Sequence, residues 1–96
     1  MKQLTILCSS DLSSVVQDAL VSASVEGFLH VPDAVGVKPS AAVEHGRWPR
    51  WQAAMYLAPV SDDAAASVVQ ALRGYAGRCE DEPCLRILVS SLDAVY

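Results

Sequence analysis

The chain has 96 residues, of which 52% are apolar, 19% charged and 6% aromatic, and a chain of this length holds one hydrophobic core, so residues 1–96 form a single domain. Seven Lys plus Arg against eleven Asp plus Glu give a net charge of −4; the basic excess with which nucleic-acid binders neutralise phosphates is missing, and nucleic acid is not an expected partner. No apolar run approaches the roughly 20 residues of a membrane span, Met1 and Lys2 lead into the chain without a signal-peptide pattern, and three cysteines are too few for a secreted disulfide scaffold, so a soluble, cytoplasmic protein without membrane insertion is expected.

Residues 3–8, Gln-Leu-Thr-Ile-Leu-Cys, are apolar or β-branched nearly throughout, the pattern of a strand covered on both faces. Ser9 or Ser10 can cap the next element, where Leu12, Val15, Val16, Ala19, Leu20 and Ala23 recur at helical spacing and Asp11 occupies the first turn. Glycine tolerates the left-handed turn that ends a helix, so this one is expected to stop near Glu26 and Gly27. Phe28–Val37 then alternates as a second strand, bent or at a sheet edge because Pro32 has no N–H to give. Residues 36–50 combine glycine, proline and basic residues without a period and read as a long exposed loop; loops of that length in small domains usually carry function.

Trp51–Val60 sets Ala53, Met55 and Leu57 against Ala54, Tyr56 and Ala58, a third strand that Pro59 stops. Ser61 caps a second helix with Asp62 and Asp63 in its first turn, where the helix dipole favours carboxylates without any acid–base role. Its stripe is Ala65, Val68, Val69, Leu72, Tyr75 and Ala76, ending at Gly77. A polar loop from Arg78 to Pro83 leads to a last strand, Leu85–Ser91.

The order βαββαβ is that of a ferredoxin-like α+β sandwich, a four-stranded antiparallel sheet with two helices on one face. Ser14-Val15-Val16-Gln17 and Ser67-Val68-Val69-Gln70 fall at similar points of the two helices, an echo of the two split βαβ halves. The strands carry apolar residues on both sides while the helices cover one, so the open face is expected to pack on neighbouring subunits.

The strand followed by Asp11-Leu12, the Glu26-Gly27-Phe28 turn, the Leu57-Ala58-Pro59-Val60-Ser61-Asp62-Asp63 helix entry and the ending Val89-Ser90-Ser91-Leu92-Asp93-Ala94-Val95 together resemble the PII-like superfamily, the trimeric ferredoxin-like proteins that include nitrogen-regulatory PII proteins and CutA. The resemblance covers nearly the whole chain and looks closest to the short members found beside heavy-metal efflux pumps. It implies a non-enzymatic homotrimer that binds a small effector in inter-subunit clefts and presents a T-loop-like segment, here residues 36–50, to a partner such as a membrane transporter. The positions it assigns to effector binding are Val35, Gly36, Val37 and Lys38 at the loop root, Arg47 and Arg50 in the loop, and Gly77 and Arg78 in the place of the B-loop. It implies an adenine nucleotide or another anion as effector, but nucleotide-binding PII proteins have there a glycine-rich loop with a lysine. This chain has Gly77-Arg78-Cys79-Glu80-Asp81-Glu82-Pro83-Cys84, whose three consecutive carboxylates repel a polyphosphate at close range. The T-loop counterpart also lacks the tyrosine that is modified in the family.

A different class of function, binding of a soft metal ion in the manner of CutA or heavy-metal tolerance proteins, rests on Cys79 and Cys84, a Cys-x4-Cys pair able to bind metal or close a reversible disulfide. Two thiols leave a tetrahedral site incomplete, and the alternative is one buried and one exposed cysteine. Cys8 reads as a small core hydrophobe. His45 is either a ligand near Glu44 or a solvated loop residue; His30 faces an inter-subunit cleft as a ligand or sits satisfied at an edge. Arg47, Trp48, Pro49, Arg50 and Trp51 form either a docking tip or anion-binding wall, or a cover in which Trp51 plugs a subunit interface. Nucleophile elbows, Walker loops and HExxH sites are absent from the sequence, so it offers no catalytic machinery.

Overall fold

Alternation along the first strand sets the layers: Leu4, Ile6 and Cys8 are buried, whereas Gln3, Thr5 and Leu7 point to the other face. The computed structural model describes residues 1–37, 39, 46, 50–77 and 85–96. They form β1 (Lys2–Ser9), a 3-10 turn (Ser10–Leu12), α1 (Ser13–Ser22), β2 (Leu29–Val37), β3 (Arg50–Val60), α2 (Asp62–Leu72), a second 3-10 turn (Arg73–Tyr75) and β4 (Leu85–Ser91). The sheet order is β2-β3-β1-β4 with every neighbouring pair antiparallel, the ferredoxin-like βαββαβ sandwich expected from the sequence.

The core is one layer between sheet and helices. Leu4, Ile6, Ala54, Tyr56, Ala58 and Leu85 from the sheet meet Val16, Leu20, Ala65, Val68 and Leu72 from the helices, all buried. Burying each of the larger aliphatic side chains is worth about 1.5–3 kcal/mol. Tyr56 sits inside this layer and keeps its polar end satisfied: its hydroxyl accepts from Gln17 Nε2 at 2.9 Å and donates to the Ser13 carbonyl at 3.4 Å, tying β3 to the start of α1.

Both helices depart from the boundaries read in the sequence. Ser9 precedes a 3-10 turn without offering its side chain as a cap, and α1 starts only at Ser13. Its end is not Gly27 but Ser24, in the left-handed conformation at φ 58°. The Ser24 N–H bonds the Val21 carbonyl at 3.0 Å and the Val25 N–H the Leu20 carbonyl at 3.2 Å, the two bonds of a Schellman motif, with Val25 packed against the core. Helix α2 is capped by Ser61, whose Oγ accepts from the Ala64 N–H at 3.1 Å, but it ends at Leu72. Tyr75 is 40% exposed and Ala76 lies at the surface, so neither extends the apolar stripe. The buried pairs Val16 with Val68 and Leu20 with Leu72 show that the structural repeat runs one residue out of phase with the tetrapeptide echo.

The segment read as a loop over 36–50 is shorter at both ends, because Gly36 and Val37 belong to β2 and Arg50 opens β3, pairing as Gly36 with Trp51 and Val37 with Arg50. Strand β2 is at the sheet edge, and the register shifts between Val31 and Ala34. The bulge absorbs Pro32 and Asp33, where a missing N–H does no harm. Opposite the helices the sheet exposes Leu7, Leu29 and Leu88 at 38%, 62% and 52%, and no described element covers them. Among the described residues no helix is long and apolar enough to cross a membrane.

Ser24 holds a conformation that costs an L-residue about 1–2 kcal/mol and glycine nothing. Ser24→Gly is therefore expected to raise stability by about 1 kcal/mol in urea unfolding at fixed protein concentration. An unchanged or lowered midpoint speaks against the strained cap.

Candidate functional site

Where β2 and β3 run out together as a ribbon, Trp51 faces Gly36 across the strand pair. A Cβ on Gly36 overlaps the indole, so the ring lies directly on the glycine backbone. This position requires glycine for close approach rather than for a turn. The pairing fixes the indole on the open face of the sheet, half-buried, as one wall of an apolar recess of about 230 Å³. Leu7 of β1, Met55 of β3 and Val35 of β2 form other parts of the lining, and Arg86 of β4 supplies its charged member. The volume lies below the roughly 300–1,000 Å³ of sites for drug-sized ligands, which fits a small molecule. Trp51 also lines a shallower recess of about 220 Å³ with Val35, Arg50 and Gln52.

Arg86 pairs with Leu7 across β1 and β4, and its side chain reaches toward the end of the α2 region. A side-chain carbon on Gly77 comes 3.2 Å from Arg86 Nη1, and Gly77 itself has φ +68° and donates its N–H to the Leu85 carbonyl at 3.2 Å. Glycine at 77 thus permits both the left-handed turn and the approach of the guanidinium.

Of the residues assigned to effector binding from the sequence, the structure brings Val35 and Gly36 to the recess, places Gly77 against Arg86, and sets Arg50 with Val35 and Trp51 at the second recess. Val37 is on the ribbon opposite Arg50. Lys38, Arg47 and Arg78 lie outside the described residues, as do His45, Cys79 and Cys84 of the metal reading. Trp51 as a wall is one of the readings of the 47–51 cluster, whereas Leu7, Met55 and Arg86 are not legible as site residues in the sequence and enter through strand pairing.

His30 lies on the helix side of the sheet, on its edge strand. It pairs with Tyr56 across β2 and β3, and the two rings stack at 4.4 Å with an interplanar angle of 4°, while Phe28 meets Tyr56 edge-on at 5.8 Å. It sits at the sheet edge, but its Nε2 is buried without a hydrogen-bond partner among the described residues. Among the described residues no group of three His, Cys, Asp or Glu side chains is gathered as a metal site. Cys8 is a core residue at 2% exposure, and burial pushes its thiol above the ordinary range, an effect that a hydrogen bond with Ser13 partly offsets.

No protein-family model matches the chain, and no curated protein matches it in sequence. Solved structures match it in fold. CPII, a nitrogen regulatory PII-like protein from Thiomonas intermedia K12 bound to ADP, AMP and bicarbonate, is 17% identical with a TM-score of 0.66, over 93% of this chain and 86% of that one. The same protein bound to ADP and bicarbonate gives 19% identity and a TM-score of 0.67, over 93% and 82% of the two chains. A protein of Thermus thermophilus described as PII-like and signaling gives 18% identity and a TM-score of 0.60, over 93% and 83%. At such identities the likeness is one of fold: the chain has the fold of PII-like proteins.

The seat of Trp51 on Gly36 has a measurable signature. Gly36→Ala forces the indole away and is expected to cost about 1–3 kcal/mol, as overpacking does, but less than about 0.5 kcal/mol in a Trp51→Ala background, so that a double-mutant cycle shows coupling. Equal costs in the two backgrounds contradict the contact.

Proposed function

We propose that this protein is a PII-like regulatory protein that binds a small effector, an adenine nucleotide or another anion, in the recess at the root of the β2–β3 ribbon. The observation that carries the reading is the recess itself: an apolar hollow with an indole wall and a guanidinium, built from Val35 and Gly36 together with Leu7, Trp51 and Arg86. The reading is supported by the fold it shares with CPII, whose structures hold ADP, AMP and bicarbonate. In this reading three copies meet through their open sheet faces as a homotrimer, and the segment over 36–50 is presented to a partner, a membrane transporter of the efflux kind.

The site lies where β2 and β3 emerge from the sheet, so a ligand against Val35 and Gly36 touches the base of that segment. Binding then favours whichever arrangement of the segment gives the ligand more contact, and it does so by no more than the difference in affinity between the two arrangements. Regulation of the partner follows from this coupling and needs no chemical step.

Isothermal titration of the reduced protein with ADP, with AMP and with bicarbonate tests the proposal. Saturable binding of at least one of them with one site per chain is the expected result. Absence of saturable heat for all three sinks the effector reading.

A further inference from the structure

We propose that the β2–β3 ribbon has two strand registers one residue apart, and that slipping from one to the other closes the recess and turns the side chains of residues 34–37 to the opposite faces of the sheet; the geometry of the strand pair supports this whatever the recess binds. The spare residue for such a slip is present. Between the pairs Val31–Met55 and Ala34–Ala53, Pro32 and Asp33 stand against Ala54 alone. Drawing that extra residue into the ladder moves Asp33 opposite Ala53, Ala34 opposite Gln52 and Val35 opposite Trp51. Because side chains alternate along a strand, every one of them changes face.

The observed pairing is a compromise between two side-chain demands. It sets Ala34 and Gly36 on the open face with Ala53 and Trp51, where they line the recess. Val35 and Val37 pair with Gln52 and Arg50 on the other face and are left 58% and 38% exposed. The ribbon thus keeps its small residues where the sheet offers apolar contact and its valines toward solvent, the reverse of what burial favours. One contact holds it there. The Trp51 ring lies where any side-chain carbon at 36 would be, so only glycine fits opposite it. In the slipped register Val35 stands opposite Trp51, the indole is displaced, and Val35 and Asp33 take the places of Gly36 and Ala34 in the recess wall.

The slip is local. Strand β2 is an edge strand, so only its ladder with β3 has to re-form. The half before the bulge is anchored by the stack of His30 on Tyr56 and by Phe28 against the same ring. A molecule held in the recess fits only the observed register and draws the ribbon to it by as much as it prefers that register, whereas an empty recess releases the ribbon.

Amide relaxation dispersion and cross-strand proton contacts, measured on the isotopically labelled, reduced, full-length protein without ligand, test the device. The wild type is expected to show exchange on the microsecond-to-millisecond scale at 34–37 and 50–52 and none in β1. Trp51→Val removes the ring that demands glycine and offers Val35 an aliphatic partner. It is expected to raise the slipped population about 10-fold or more, seen as contacts of 35 with 51 and of 34 with 52. Gly36→Ala forces the same choice from the other strand and is expected to act in the same direction. Adding Val35→Thr and Val37→Thr to Trp51→Val keeps the shape of the strand but removes the gain from turning the valines, and is expected to restore the contacts of 36 with 51 and of 35 with 52. Retained pairing of 36 with 51 in both Trp51→Val and Gly36→Ala overturns the proposal, as does a wild type without exchange at 34–37. Neither result bears on whether the recess binds an effector.

Discussion

Two short helices can cover only one face of a four-stranded sheet, and in this chain both faces are apolar. On the helix side the constraint is met inside the chain, by the packing of Leu4, Ile6, Tyr56 and Leu85 against Val16, Leu20, Val68 and Leu72. On the other side Leu7, Leu29 and Leu88 are left facing outward with no described element over them. Covering the part of each leucine that remains exposed gains about 1 kcal/mol, which is the driving force for association through that face in the trimer we propose. The recess opens on the same face, through Leu7, Trp51 and Met55. In the proposed reading, ligand binding and subunit association act on one surface, and by linkage each strengthens the other wherever the ligand prefers the assembled form.

The ribbon at the end of the sheet is the second consequence. Beyond Ala34, β2 and β3 pair past the reach of the helices, and they hold together through cross-strand contacts instead of a core. Trp51 over Gly36 is the main one, an aromatic side chain supplying from the partner strand the apolar cover that glycine lacks. The bulge at Pro32 and Asp33 lies on the outer edge of the same strand, where an unpaired ladder is least costly and where it discourages further strands from adding. In the proposed reading, the paired ribbon root beside the hollow is what couples ligand contact to the segment.

The layers are legible in the sequence and the ends of elements are not, for reasons that particular residues make plain. Alternation in 51–60 sorts Met55 and Leu57 from Tyr56 and Ala58 correctly, because strand geometry leaves side chains only two directions. Gly27 looks like the natural end of α1, but the Schellman bonds of Ser24 and Val25 depend on where Val25 can reach the core, which no local propensity encodes. Gly36 and Arg50 look like loop residues, since glycine and charge are loop signals until Trp51 is known to lie over Gly36. Val35 and Gly36, which the family resemblance singles out, line the recess, and Gly77 lies beside Arg86. Arg86 stays hidden among the residues of an ordinary strand, because its value comes from pairing with Leu7 and lying against Gly77.

Whether the open apolar face is covered by further copies of the same chain decides between a sheet that is complete only in an assembly and one that is complete alone. Light scattering on the reduced protein at micromolar concentration tests this most directly, with Leu29→Glu and Leu88→Glu as variants that place charge on that face. The prediction is a solution mass three times the 10.2 kDa of the chain, falling toward the monomer in the variants; a wild-type mass of 10.2 kDa contradicts it.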